Sequence, residues 1–344
     1  MKFAASIATL ASLAAAAPAA NPQLSVKLEL QDNSRVKAVV SNPGKENVKV
    51  LKTGSILDNV PVQKASVSGA NGDVAFEGVR LYLAPEVEES QFQEIAAGES
   101  VEVTFDVAEV FDLSNGGDYD IQSSGNLRYA QGGDISQLSS LSYESNKISA
   151  SVDGAAAAQS LSSFQSLQKR VTVNGDCTGA QRTAVETSVK NTHDIAVKAA
   201  EAARNGPANK MIEYFESAGQ SARNTVATAF EKMARAYASS GGLPDLHCRD
   251  VQNFCQGAVA YALPPQNLIV FCSSWFNYPA LTPGCRKVDQ AHIAVHEATH
   301  LSMTKGTDDY GTYGYENSIA LPASRNLNHA DTYAYFAHDT LSGC

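Results

Sequence analysis

All six cysteines, all seven histidines and the single tryptophan of this 344-residue chain lie after residue 170. Composition therefore breaks near residue 170, and thiol and imidazole chemistry belongs to the second half alone, so the two halves are expected to do different jobs. At the boundary stand Lys169 and Arg170, a dibasic pair in a Ser/Gln-rich stretch that follows the alanine run at 155–158. An exposed loop of that composition is open to proteolysis. The pair reads as a processing site for a dibasic-specific protease, with Val171 opening the mature chain. At the other end, Lys2 precedes an Ala/Leu-rich stretch at 3–17 and then small residues. That is the layout of a secretory signal peptide, so a secreted, extracellular product is expected.

No later segment offers about 18 consecutive apolar residues, so no membrane span is expected. The net charge of −10 argues against nucleic acid or anionic membrane as partner, since a phosphate surface calls for clustered Lys and Arg.

From about 22 to 150 apolar and polar residues alternate, as in Leu24, Val26, Leu28, Leu30 and in Val101, Val103, Phe105, Val107. Period two is the strand signature. Turn residues interrupt it at 42–44, 71–73 and 115–117, which predicts short antiparallel strands in a β-sandwich. After Val171 the pattern becomes helical, over about 179–204, 222–238, 288–303 and 328–341, while two apolar runs between 258 and 272 flank Pro264-Pro265 and predict a hairpin. The fold class read here is α+β: a β-sandwich-like first part, then a predominantly helical domain with a small antiparallel sheet.

Cys177, Cys248, Cys255, Cys272, Cys285 and Cys344 form an even set in a chain bound for an oxidising compartment, so disulfides are expected. No Cys-x-x-Cys spacing favours thiolate metal ligation. Pairing is not readable from spacing.

The chemistry concentrates in His296-Glu297-Ala298-Thr299-His300, an HExxH motif on a helical background. Residues four apart share a helix face, so two imidazoles can address one zinc ion. Glu297, one position on, is placed as general base for the water that the metal activates, and can return the proton to a leaving amine. His292 lies four before His296, but Ile293 stands where the base belongs, so His292 reads as a packing residue or a support for a ligand. A catalytic zinc needs a third protein ligand. The long pattern with a further His six positions on fails, because Gly306 stands there. Asp308, Asp309, Glu316 and Asp331 remain, and the turn-rich 305–309 segment favours Asp309.

With HExxH followed by Gly306-Thr307-Asp308-Asp309, then Tyr313-Gly314 and the late Asn328-His329-Ala330-Asp331-Thr332-Tyr333, the chain resembles the deuterolysins, fungal neutral protease II enzymes of the aspzincin group. The resemblance extends to the layout of signal, β-rich propeptide, dibasic site and short mature domain. It implies a zinc endopeptidase with one Zn2+ per chain, held by His296, His300 and Asp309, with Glu297 and Tyr313 catalytic. Tyr313 becomes a candidate donor to the developing oxyanion. One more residue separates Asp309 from Tyr313 here than in the family pattern, which leaves Tyr310 and Tyr315 as alternatives. Asp331 is the alternative third ligand, or a carboxylate at a helix N-terminus. The family cysteine order implies bridges Cys177–Cys248, Cys255–Cys272 and Cys285–Cys344.

The resulting organisation is a signal peptide at 1–20, a propeptide at 21–170 and a catalytic domain at 171–344, acting as a monomer on protein substrates. The resemblance implies a preference for basic proteins. Two other readings stay open: a secreted binding protein with a structural zinc, and a peptidase with Glu316 as third ligand.

Overall fold

The computed structural model describes residues 24–344 except 86, 132–133, 170–175, 239–241 and 251. The expected signal peptide at 1–20, Arg170 and Val171 lie outside the described residues.

The first half carries β1 (Ser25–Asp32), β2 (Arg35–Ser41), β3 (Val48–Leu51), β4 (Ser66–Gly69), β5 (Gly72–Asp73), β6 (Arg80–Leu83), β7 (Phe92–Ile95), β8 (Ser100–Asp106), β9 (Gly117–Gln122), β10 (Ser124–Gln131), β11 (Ser139–Glu144) and β12 (Ile148–Val152), then helix α1 (Gly154–Lys169). Alternation drives the strands: in β2, Val36, Ala38 and Val40 are fully buried while their neighbours are not. Eleven of these strands form three antiparallel sheets, ordered β1-β2-β8, β11-β10-β3-β7 and β12-β9-β4-β5. One extended run serves two of them, because β9 and β10 are separated only by the buried Ser123. Helix α1 occupies the stretch read from sequence as an exposed linker. Its Ala157, Leu161 and Phe164, spaced four and three apart, are buried and make it amphipathic.

The second half carries α2 (Gly179–Asn205), α3 (Ala208–Phe215), α4 (Gln220–Tyr237), β13 (Asp245–His247), β14 (Ala258–Leu263), β15 (Leu268–Phe271), α5 (Gln290–His300), α6 (Tyr315–Ile319), α7 (Ala323–Asn326) and α8 (Ala330–Ser342). Ala196, Ala199, Ala200 and Ala203 line the buried side of α2, which lets it pack along α4 at short range. Strands β14 and β15 form the antiparallel hairpin around Pro264-Pro265. Disulfides join Cys177 to Cys248, Cys255 to Cys272 across the hairpin, and Cys285 to Cys344 at the C-terminus.

The twelfth strand of the first half leaves its own sheets. β6 pairs antiparallel with β14, giving a mixed sheet β13-β15-β14-β6. That sheet divides two apolar cores. Tyr261, Leu263, Leu268 and Val270 belong with Leu81 and Leu83 to the core of the first half. Val259, Ala260, Ala262, Ile269 and Phe271 face the helices of the second, where Tyr82 joins them.

Candidate active site

Helix α5 carries the HExxH motif and is buried at every position. Its start is fixed by Asp289, whose carboxylate accepts the His292 N–H at 2.8 Å and the Thr282 N–H at 2.6 Å. His338 of α8 meets the same carboxylate at 3.0 Å, tying the two helices together. The helix ends at His300, and Leu301 turns extended. Gly306, at φ +72°, then reverses the chain, and Gly306 and Thr307 both donate to the Thr299 carbonyl. This reversal returns Asp309 to the helix face that carries the two histidines.

His296 Nε2 and His300 Nε2 lie 3.1 Å apart, and Asp309 Oδ1 lies 3.2 Å from the first and 3.3 Å from the second. Ligand atoms about 2.0–2.1 Å from a tetrahedral zinc are separated by roughly 3.3 Å, so the triangle has the size of one face of such a site. Each imidazole is held from its other edge. His296 Nδ1 donates to Asp331 Oδ1 at 2.8 Å and His300 Nδ1 donates to the Thr307 carbonyl at 3.0 Å. With Nδ1 protonated, both Nε2 lone pairs are free to face a cation. Asp309 Oδ1 is buried without a hydrogen-bond donor of its own, a cost that a bound cation removes. Burial opposes charge on Asp309, but the facing His300 and His296 hold its carboxyl well below the usual range. Burial likewise opposes charge on His296, and the facing Asp309 and Asp331 carboxylates outweigh it. The residues around this point favour a positive charge.

The sequence profile of the deuterolysin metalloprotease (M35) family matches residues 1–344. The chain belongs to that family. A neutral protease 2 homolog of Colletotrichum graminicola is 40% identical over 353 residues, covering 100% of both chains. The neutral protease 2 of Aspergillus oryzae is 37% identical over 338 residues, covering 96% of this chain and 95% of its own. A solved zinc peptidase from Grifola frondosa aligns with 47% of this chain and 97% of its own at 19% identity and a TM-score of 0.41, and adds nothing to the assignment. This member of the deuterolysin family is thus a zinc metalloendopeptidase, and its His296, His300 and Asp309 form a group with the spacing of a metal site.

Around that group the other sequence candidates separate. Glu297 is fully buried and neither of its oxygens makes a full hydrogen bond. Burial, with Asp309 adding to it, pushes its carboxyl up to about 8. Tyr313 stacks beside His296 at 6.3 Å between ring centroids. Tyr310 instead bonds Asn328, and Tyr315 donates to Glu213 at 2.8 Å. Asp308 pairs with Arg80 of the first half at 2.7 Å. Glu316 is exposed in the first turn of α6, outside the cluster.

Asp331 Oδ1 meets His296 Nδ1, on the ring edge opposite the Nε2 that faces Asp309, and its other oxygen accepts the Gly314 N–H at 2.7 Å. It therefore positions both the His296 ring and the loop that carries Tyr313. Sequence reasoning weighed it as a ligand or a helix carboxylate and missed this role. His292 packs edge-on to Tyr335 at 4.4 Å, with its Nε2 3.7 Å from Asp331. Tyr82, unremarked in the sequence, sets its ring edge-on to His296 at 4.7 Å.

Proposed function

We propose that the chain is the precursor of a secreted zinc endopeptidase, with a signal peptide at 1–20, an inhibitory prosegment at 21–170 and a catalytic domain at 171–344 that is released by cleavage after Arg170. The observation that carries this reading is the triangle of His296 Nε2, His300 Nε2 and Asp309 Oδ1, 3.1–3.3 Å on a side, with the buried Glu297 carboxylate on the same helix.

Those three side chains would hold one zinc ion, which supplies a Lewis acid that polarises the scissile carbonyl and eases ionisation of water. Glu297 accepts the proton of the attacking water and returns it to the leaving amine. Its burial on the motif helix, away from other hydrogen-bond partners, leaves both carboxylate oxygens open to that water. The Tyr313 hydroxyl donates to the oxyanion as it forms. Asp331 and the Thr307 carbonyl keep the two imidazoles turned toward the metal. The mild excess of Asp and Glu over Lys and Arg after Val171, together with the family resemblance, supports basic proteins as favoured substrates. Secretion rests on the Ala/Leu-rich N-terminal stretch and fits the three disulfides.

The test is hydrolysis of histone by the processed form, comparing the parent with Glu297→Gln. The variant keeps the side-chain shape without its basicity. Activity is expected to fall by about three orders of magnitude or more with zinc content unchanged. Equal activity of the two proteins would remove Glu297 as the base.

A further inference from the structure

Strand β6 reaches the second half's sheet at the edge beside the motif helix, and its residues have separate neighbours. Leu81 and Leu83 pack into the first-half core, while Tyr82 packs into the second, the alternation expected of a strand between two layers. Leu81 stands opposite Tyr261 and Tyr82 opposite Ala260 in the antiparallel ladder, and the Ala84 N–H donates to the Gly257 carbonyl at 2.9 Å. The Leu81 carbonyl accepts the Tyr313 hydroxyl at 3.0 Å. Just after it, the Tyr82 ring lies against His296. Just before it, Arg80 donates to Asp308 Oδ1 at 2.7 Å, both side chains mostly buried. An extended peptide added to a sheet edge, with alternate side chains in pockets, is a general mode of polypeptide recognition.

The geometry points to β6 as a resident pseudosubstrate, lying in the cleft as a polypeptide substrate does, and to Asp308 as the subsite for a basic residue immediately before the one whose carbonyl is attacked. The inference rests on the peptidase reading above and deepens it. The Leu81 carbonyl occupies the hydroxyl of the residue assigned to the oxyanion, so Arg80 marks the preceding substrate position. When β6 leaves, Asp308 loses that cation and, among the described residues, keeps the Tyr310 N–H at 3.1 Å. A half-sheltered carboxylate gains more from a charge-assisted bond than an exposed one does, so an incoming Lys or Arg is the natural replacement. Asn126 gives the prosegment a second hold on the same loop through the Tyr310 carbonyl and Thr312 Oγ1. Cleavage after Arg170 touches none of these contacts. Activation therefore has two stages, the cut and the departure of β6.

The test uses the full-length chain, loaded with zinc and nicked after Arg170 by a dibasic-specific protease. Retention of the prosegment is followed by gel filtration on dilution. Hydrolysis is followed with two fluorogenic peptides that differ only by Arg or Ala at the second residue before the cleaved bond. Arg80→Ala is expected to weaken retention at least tenfold. The parent is expected to cut the Arg peptide about tenfold better in kcat/KM, and Asp308→Asn to bring that ratio near one. Unchanged retention in Arg80→Ala, or a ratio near one in the parent, overturns the inference. Arg80→Ala alters only the prosegment, so it tests the contact even where Asp308→Asn fails to fold. If neither peptide is cut but Arg80→Ala still loosens the prosegment, the peptidase reading falls and the docking surface stands.

Discussion

The two halves bury different things. Between its sheets the first half encloses aliphatic side chains such as Leu28, Val36, Val50 and Ile121, with a few Ser and Asn and the carboxylate of Asp58, which accepts backbone N–H groups from Gly54 and Val60. The second half encloses Asp289, His292, His296, Glu297, His300, Asp309, Asp331, His338 and Asp339 in one connected region. Burying charge is costly unless every group finds a partner. The contrast teaches where buried charge is concentrated: the second half carries the cost, around the group with metal-site spacing, and the first half packs mainly through apolar contact.

The halves also differ in how they are held, and breaking that difference gives the largest effect. Converting Cys285 and Cys344 to Ser is expected to cost the second half about 2–4 kcal/mol and to leave the disulfide-free first half unchanged. Trp275, fully buried beside Phe271, is the chain's only tryptophan and reports the second half alone. Its urea midpoint by fluorescence should fall; a midpoint equal to the parent's would erase the distinction. A smaller effect probes the buried polar network. Asp331→Asn leaves His296 with a weaker partner and is expected to lower zinc affinity about 10–100-fold, read by competition with a chelator. Unchanged affinity would reduce Asp331 to packing. The smallest effect is one of pH. His338 sits 3.0 Å from Asp289 and 3.8 Å from Asp339, beside His292. Burial lowers its pKa, but the two carboxylates outweigh it and raise the imidazole to about 9. Because the folded value exceeds the unfolded one, the stabilisation is complete below about pH 6.5 and is lost as pH rises through about 9. The second half's melting temperature should drop by several degrees across that window, on the order of 1–2 kcal/mol, and His338→Gln should flatten the curve. A parent curve already flat would show the pair to be neutral throughout.

Much of this was legible wherever the signal is local. The 3.6-residue period located α2, α4, α5 and α8, and the i, i+4 spacing of His296 and His300 placed the two imidazoles on one helix face, where they meet. The motif helix is shorter than its sequence pattern, because Thr304 folds back to the Ala298 and Leu301 carbonyls and Gly306 reverses the chain. Helix α1 was hidden by its serines and glutamines, although Ala157, Leu161 and Phe164 share one face. The role of Asp331 depends on α8 lying against α5, a tertiary fact with no sequence spacing to announce it. β6 was the least legible element: four residues long, buried on both sides, and paired with a strand far along the chain. The clean alternation that marks a half-exposed strand is absent there, because neither face meets water.

The sheet that divides the two cores has a thermal consequence. Separating the halves would uncover Tyr261, Leu263, Leu268 and Val270 on one side and Leu81 and Leu83 on the other, apolar surface that each covers for the other. Hydrating such surface raises the heat capacity, and the attraction it supplies weakens on cooling. The nicked complex should therefore hold most tightly at an intermediate temperature and loosen toward the cold as well as toward heat.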